Sequence, residues 1–136
     1  MKCTKLPVLI FLTVPIAFIG CKERPAKELI INKWKFTEIS GPGAELMPDS
    51  IKKKIYATAT MNFKKDGSYE QTGGMDGGTR KGVYSLSDDG KTIYSKKNDS
   101  DNTDTMIVLQ ISKTKMLVSP KTTGKDENIR VTMIGE

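Results

Sequence analysis

Residues 61–70 read MNFKKDGSYE, and this stretch decides the fold class. Apolar and polar side chains alternate from Met61 to Phe63, Asp-Gly follows at 66–67, and Tyr69 opens the next run. Such alternation is typical of a β-strand that has one buried face. Asp-Gly between two such runs predicts a hairpin, because glycine adopts a positive φ without steric cost.

The same pattern recurs along the chain and predicts eight short strands. They cover residues 33–40, 56–64, 68–73, 80–87, 91–97, 105–111, 115–119 and 128–134. From the second strand onward the strands start at short, regular intervals, which is typical of a meander of consecutive hairpins.

The connection between the first two strands is the exception, because residues 41–55 are long for a hairpin. Gly41-Pro42-Gly43 interrupts the chain, and Asp49 or Ser50 is a candidate cap for one short helix that ends near Lys54. The prediction is therefore an all-β domain, a single antiparallel eight-stranded up-and-down meander. It closes into a barrel or folds as a β-sandwich, and we favour the barrel because closure removes exposed strand edges.

The N-terminal segment predicts an export signal that precedes this domain. Residues 1–20 combine two lysines with an apolar stretch from Leu6 to Ile19, which is too short to span a bilayer. Gly20-Cys21 follows and resembles a bacterial lipobox. The resemblance implies that Cys21 becomes the first residue of the mature chain and carries acyl groups such as palmitate, which would anchor the protein in a membrane.

Three segments follow from this interpretation. Residues 1–20 are the lipoprotein signal peptide, residues 21–29 are a lipidated N-terminus and solvated tether, and residues 30–136 are the β-barrel domain. Lys22-Glu23 resembles the start of a surface-export signal in one Gram-negative phylum. We expect a lipid-anchored protein of the outer membrane in the cell envelope, and both the periplasmic and the outward-facing orientation stay open.

Four segments in order resemble the lipocalin-like domain of small bacterial outer-membrane lipoproteins. They are LIINKWKF at 29–36, MNFKKDGSYE at 61–70, GVYSLSDDGKTIYS at 82–95 and TMIVLQI at 105–111. The resemblance implies a barrel that holds a small apolar ligand. It also implies that Trp34 packs at the barrel floor against an arginine of the last strand, for which Arg130 is the candidate.

A set of large apolar side chains is predicted to point into the barrel, where it lines a ligand pocket or fills the core. Its members are Trp34, Phe36, Phe63, Tyr69, Tyr84, Leu86, Ile107 and Leu109. An eight-stranded barrel has an interior that side chains just fill or that holds one small ligand, so both alternatives stay open.

The composition argues against catalysis and against a metal site. The chain has no histidine, and Cys21 would be the only cysteine of the mature chain. The acidic stretch at 99–104 lacks the glycine and glutamate positions of a calcium-binding EF-hand loop. We therefore expect no enzyme activity, no metal and no cofactor.

The charge pattern gives no signal for nucleic acid. Of the formal net charge of +6, Lys2 and Lys5 contribute two and belong to the signal segment. The cluster at 52–54 is best interpreted as a solvated face, and we expect a monomer whose partner is the membrane, through the anchor at Cys21.

Two hypotheses for the function remain open. The first is a lipid-anchored, non-enzymatic lipoprotein that binds a small hydrophobic ligand in the barrel. The second is a surface structural or adaptor lipoprotein with a filled core that binds a protein or glycan partner.

Overall fold

The computed structural model describes residues 25–121 and 129–136. Three short helices are present in this part of the chain: α1 (Ala26–Leu29), α2 (Pro42–Glu45) and α3 (Asp49–Thr58). The eight strands are β1 (Lys33–Ser40), β2 (Thr60–Phe63), β3 (Ser68–Thr72), β4 (Thr79–Leu86), β5 (Thr92–Lys97), β6 (Thr103–Ile111), β7 (Lys115–Lys121) and β8 (Arg130–Gly135).

The strands form a closed antiparallel barrel in sequence order. Each strand pairs with the next, and β8 pairs back with β1 through Phe36 opposite Met133 and Ser40 opposite Arg130. The predicted eight-stranded up-and-down meander is thus confirmed, and the barrel alternative holds rather than the sandwich. Closure gives every strand two neighbours, so the sheet has no open edge.

The helix after the first strand is longer than predicted. It starts at Asp49 with Pro48 as the N-cap and no side-chain capping hydrogen bond, so neither Asp49 nor Ser50 is the cap. It continues to Thr58, and β2 begins only at Thr60. Residues 56–58 were predicted to start a strand because they alternate, and that boundary is wrong. The Tyr56 hydroxyl instead accepts a hydrogen bond of 2.9 Å from the Ile39 backbone N–H, which ties α3 to β1.

Two β-bulges change which side chains face inward. In β1 the register shifts between Phe36 and Glu38, so Thr37 is the extra residue and Ile39 turns toward the interior. The Thr37 hydroxyl donates to the Thr132 carbonyl across the irregularity. An extra residue reverses the alternation of the strand beyond it, which a strict period of two does not predict.

The two ends of the barrel differ, and we call them the base and the mouth. The base carries α1 and the hairpin turns at 64–67, 87–91 and 112–114. The mouth carries α2, α3 and the connections at 73–78 and 98–102.

The folded unit begins before the predicted domain boundary at residue 30. Residues 26–29, which the sequence assigned to the tether, form α1. Ala26 lies so close to the β4–β5 turn that a Cβ atom on Gly90 would come within 2.7 Å of the Ala26 methyl group. None of the helices in the described residues is long and apolar enough to span a membrane.

The core is apolar and lies along the barrel axis. Its buried members are Ile30 before β1 and side chains that alternate along the strands, as a barrel of this size requires. They are Ile30, Trp34, Met61, Phe63, Tyr69, Ile93, Met116, Val118, Val131 and Met133.

Candidate functional site

The base of the barrel is closed by the segment that precedes β1. Ile30 caps α1 and is fully buried, and the Trp34 indole lies beneath it with no exposed surface. The indole Nε1–H donates a hydrogen bond of 2.9 Å to the Ile30 carbonyl. This bond satisfies the one polar atom of the indole, so the ring can be buried fully at this end.

The lipocalin resemblance implied that Trp34 packs against Arg130, but the two residues do not pair in the structure. Trp34 lies opposite Gly135 in the β1–β8 ladder, whereas Arg130 lies opposite Ser40 at the other end of the same two strands. With about 3.3 Å per residue, the two positions are roughly 20 Å apart. Arg130 is also exposed, so the predicted barrel-closing pair is wrong and Trp34 is a core residue held by Ile30.

Three aromatic rings fill the interior above the base. The Phe63 and Tyr84 rings meet edge to face with centroids 4.8 Å apart, and the Tyr69 ring lies 6.3 Å from Phe63 on its other side. The Tyr84 hydroxyl donates to the Lys64 carbonyl at the base. Burial, and to a lesser degree the Asp66 carboxylate, raise the pKa of Tyr84, so its phenol is a neutral donor at physiological pH.

Tyr69 marks the boundary between the apolar interior and a more polar mouth. Burial is the main cause that raises the pKa of Tyr69, the Asp104 charge adds to it, and a hydrogen bond with Ser95 opposes it. A Cβ atom on Gly82 would come within 2.0 Å of the Lys96 carbonyl oxygen and 2.8 Å of the Tyr69 ring. The Tyr69 ring and the Lys96 backbone of β5 therefore leave no space for a side chain at Gly82.

A cavity of about 320 Å³ opens at the mouth. Gln71 lines it, one inward position further along β3 than Tyr69, and Arg80 faces Gln71 from β4. Most of the remaining wall is apolar and comes from β1, α3 and the β3–β4 connection. These wall residues are Phe36, Ile39, Ile55, Ala59 and Met75.

The β3–β4 connection is held against α3 at this cavity. Gly73 has a φ of 79°, and a Cβ there would come within 2.3 Å of the Thr58 carbonyl oxygen, so glycine permits the close approach. The Lys54 ammonium donates a hydrogen bond of 3.0 Å to the Met75 carbonyl from the other direction. The apolar wall of the cavity is thereby fixed on both sides.

Arg80 forms an ion pair with Asp76 at the rim of the cavity. The Asp76 carboxylate also accepts a hydrogen bond from the Gly78 N–H. That hydrogen bond and then the Arg80 charge lower the pKa of Asp76, so the pair is ionised at neutral pH. A second pair joins Lys97 and Asp104 at 3.5 Å on neighbouring strands.

A separate groove of about 490 Å³ lies at the base, between α1 and the end of β4. We call it the base groove. Ile31, Tyr84 and Leu86 supply its apolar surface, and Gly67 and Ser85 complete that side. Three charged residues of α1 and the β2–β3 turn form its rim: Lys27, Glu28 and Lys65.

Ile107 and Leu109 lie on the outer surface, not in the interior as predicted. They are 41% and 49% exposed. Met106 and Val108 pack against the core instead, and the register of β6 shifts between Val108 and Gln110 so that Leu109 is the extra residue. A run of five apolar residues at 106–109 and 111 carries no clear alternation, so its inward face could not be chosen from the sequence.

The other predicted inward residues divide between three places. Trp34, Phe63 and Tyr69 are buried in the core, and Phe36, Tyr84 and Leu86 pack against it as predicted. Phe36 also lines the mouth cavity, and Tyr84 and Leu86 also line the base groove. The sequence prediction missed Ile39, because the bulge at Thr37 reverses its face. It also missed Gln71 and Arg80, although the alternation of β3 and β4 places them on the same inward face as Tyr69 and Tyr84.

Part of the outer wall between β4 and β6 exposes large apolar side chains beside Lys96, which lies opposite Val83. Val83 is 56% exposed there, and Tyr94 and Ile107 lie on the same side of the sheet. A shallow groove of about 310 Å³ runs along this wall past Val83, Tyr94 and Thr103.

The predicted lipidation residue Cys21 lies outside the described residues. Within residues 25–121 and 129–136, no three or more carboxylate or cysteine side chains form a group that could hold a metal ion.

Comparison with known proteins supports the fold and adds no function. No protein-family model matches the chain, and no curated protein matches it. Among solved structures, it is similar to a DUF4847 family protein from Bacteroides vulgatus, with a TM-score of 0.53 and 10% sequence identity. The alignment covers 79% of this chain and 94% of that one. At this identity the likeness shows the barrel fold alone.

Proposed function

We propose that this chain is a lipid-anchored, non-enzymatic protein of the bacterial cell envelope that binds one small, largely apolar ligand at the mouth of its barrel. The observation that carries the proposal is a cavity of about 320 Å³ at the mouth, above a barrel interior that the core from Trp34 to Tyr69 fills. Small-molecule sites usually measure about 300–1,000 Å³ and combine apolar walls with a few polar groups, so this cavity suits a small ligand.

The lining of the cavity defines the chemistry of the ligand. Phe36, Ile39 and Ile55 offer a continuous apolar surface to the body of a ligand. Gln71 and Arg80 face each other across two strands and supply hydrogen-bond donors to an acceptor group such as a carboxylate or carbonyl. A short amphiphile with one polar end fits both surfaces.

Arg80 forms an ion pair with Asp76, so its charge is already neutralised. It would therefore bind a ligand through hydrogen bonds from its guanidinium rather than through an unpaired positive charge. A guanidinium has five N–H donors, so the ion pair leaves donors for a ligand. The pair also holds the Arg80 side chain at the rim, which lowers the entropic cost of binding.

Ligand binding is tested by native mass spectrometry of the mature full chain, isolated from cell membranes in mild detergent. The expected result is one retained small molecule. Phe36→Ala should lower the retained fraction by about tenfold, because removing part of a buried phenyl contact costs roughly 1–2 kcal/mol. Ile107→Thr, on the outer surface, is the matched control and should retain the ligand. Equal retention in both variants, or no retained molecule in the wild type, would overturn the proposal.

The anchor is tested on the same protein. The mass of the mature chain should start at Cys21 and include covalent acyl groups. Cys21→Ala should release the chain from the membrane fraction or leave the precursor uncut. Normal processing with unchanged membrane fractionation would refute acylation.

The exposed outer wall favours a second candidate function, an adaptor that binds a protein or glycan through β4–β6. Val83, Tyr94 and Ile107 are all large and exposed there. A photo-reactive residue at position 94 should cross-link one specific partner in intact cells, whereas the same residue at Lys53 on α3 should not. Equal labelling from both positions would count against this function.

A further inference from the structure

We propose that the base groove binds one phospholipid of the bilayer in which the protein is anchored, and that this contact points the mouth away from the membrane. The inference rests on the proposed lipid anchor and goes beyond it. It assigns a second binding site, distinct from the mouth cavity, to the opposite end of the barrel.

The covalent chain places the base near the membrane. Only residues 22–24 separate Cys21 from Pro25, where the described chain begins immediately before α1. Four residue steps span at most about 14 Å when fully extended. An acylated Cys21 therefore holds α1, and with it the base groove, within reach of the lipid headgroups.

The floor of the base groove suits an acyl chain. Ile31 is 39% exposed although it lies between two folded elements, and the half-buried Tyr84 and Leu86 continue the apolar surface. A cleft of about 490 Å³ that exposes apolar side chains at a membrane-facing end is suited to lipid rather than to water.

The rim of the base groove suits a phospholipid headgroup. Lys27 on α1 and Lys65 on the β2–β3 turn border the cleft from two sides, and both are exposed. Two ammonium groups across a cleft can share one phosphate. Glu28 lies on the same rim, and its carboxylate would repel a lipid headgroup with a second negative charge. The rim therefore favours a headgroup that carries an amine beside its phosphate.

The position of the groove gives the bound lipid a mechanical consequence. A single acylated cysteine fixes only one point of a domain at a surface, so the domain can tilt. A lipid held between α1 and β4 adds a second contact with the membrane beside the acylated Cys21. The two contacts hold the base against the membrane, so the mouth faces the aqueous compartment.

The test is native mass spectrometry of the mature full chain, released from vesicles of phosphatidylethanolamine. The spectrum reports the covalent acyl groups and a non-covalent phospholipid as separate masses. We expect one phospholipid per chain, recorded as a mass separate from that of any small molecule retained at the mouth. Lys27→Glu combined with Lys65→Glu should lower the lipid-bound fraction by at least about fivefold per lysine, because a charge-assisted hydrogen bond from a lysine to a phosphate contributes about 1 kcal/mol or more. Lys53→Glu, on α3 at the mouth, is the matched control.

The apolar floor has its own variant. Ile31→Asp changes an exposed position, so the chain should stay folded, and it should also lower the lipid-bound fraction. Excess inorganic phosphate should not displace the bound lipid if the acyl chain lies on the floor, and displacement would show that the rim binds phosphate alone.

The outcomes separate this inference from the proposed function. Covalent acyl groups with equal phospholipid retention in all variants would overturn the lipid site and leave the anchor standing. A chain without covalent acyl groups would overturn both. A phospholipid lost in Phe36→Ala but kept in the double lysine variant would belong to the mouth cavity, and the base groove would have no ligand.

Discussion

The base and the mouth of this barrel are built from the same eight strands, yet they are organised differently. At the base, Trp34 is fully buried under Ile30, and the three hairpin turns are short. At the mouth, α3 and a glycine-rich connection hold a cavity open between Phe36 and Arg80. A barrel of this size can be closed at one end by its core and leave the other end for a ligand. The contrast can be measured residue by residue.

The largest expected effect is at the base. Trp34→Ala should lower the free energy of unfolding by about 3–5 kcal/mol, because it removes a fully buried aromatic side chain and leaves a cavity. Urea denaturation measures the change. Phe36→Ala at the mouth is the comparison and should cost less, about 1–2 kcal/mol, since Phe36 is half-buried and borders a cavity. Equal losses at the two positions would remove the distinction between a filled base and an open mouth.

A smaller effect is expected where the interior meets the mouth. Gly82→Ala should destabilise the protein by about 1–3 kcal/mol, because the new methyl group would clash with the Lys96 carbonyl and the Tyr69 ring. Gly78→Ala in the mouth connection is the matched control, since its nearest neighbour is a side-chain atom 3.9 Å away. Thermal unfolding of both variants checks the prediction, and a tolerated alanine at position 82 would contradict the close approach of the Lys96 backbone and the Tyr69 ring to this glycine.

The assignment of the two faces of β6 gives a third test. Val108→Thr should cost about 1–2 kcal/mol, because it places a hydroxyl against the core. Ile107→Thr should change the free energy of unfolding by less than about 0.5 kcal/mol, because Ile107 lies on the outer surface. A larger loss of unfolding free energy in Ile107→Thr than in Val108→Thr, measured by denaturant unfolding, would indicate that Ile107 faces the interior. It would contradict the bulge at Leu109.

The smallest expected effect concerns acid stability at the base turns. A hydrogen bond from the Ser68 hydroxyl, followed by one from its backbone N–H, lowers the pKa of Asp66. The Ser87 hydroxyl and then the Lys91 N–H lower the pKa of Asp89 in the same way. A carboxylate whose folded pKa lies below its unfolded value of 3.8 contributes stability above that pH and loses it as the pH falls through the folded value.

The combined change Asp66→Asn and Asp89→Asn should therefore flatten the loss of stability below about pH 4. Chemical denaturation at a series of pH values measures the slope. Ile107→Thr is the control and should keep the wild-type slope. An unchanged slope in the asparagine variant would show that these turns contribute nothing to acid sensitivity.

The sequence was sufficient to predict the barrel because most strands alternate around Asp-Gly turns. Met61, Phe63 and Tyr69 lie in the core where the hairpin predicted them. The same rule misplaced Ile39, because the extra residue Thr37 moves the side chains that follow it to the other face. It misplaced Ile107 and Leu109 because the apolar run at 106–109 shows no alternation from which to choose the inward face.

The mouth cavity was less predictable than the base. Gln71 and Arg80 are distant from Phe36 in sequence and meet it only through barrel closure and the approach of Gly73 to α3. The resemblance to lipocalins predicted the fold and the position of Trp34, but it did not predict the partner of that residue. The partner of the indole is the Ile30 carbonyl, which accepts a hydrogen bond from Nε1–H, and not Arg130.

The most direct test of a filled base and a ligand-accepting mouth is a crystal structure of the mature chain under xenon pressure. Xenon enters apolar cavities that are large enough to hold it and does not enter a close-packed core. We expect a xenon atom in the mouth cavity against Phe36, Ile39 and Ile55. Xenon among Trp34, Phe63 and Met116 at the base, with an unoccupied mouth, would contradict this account.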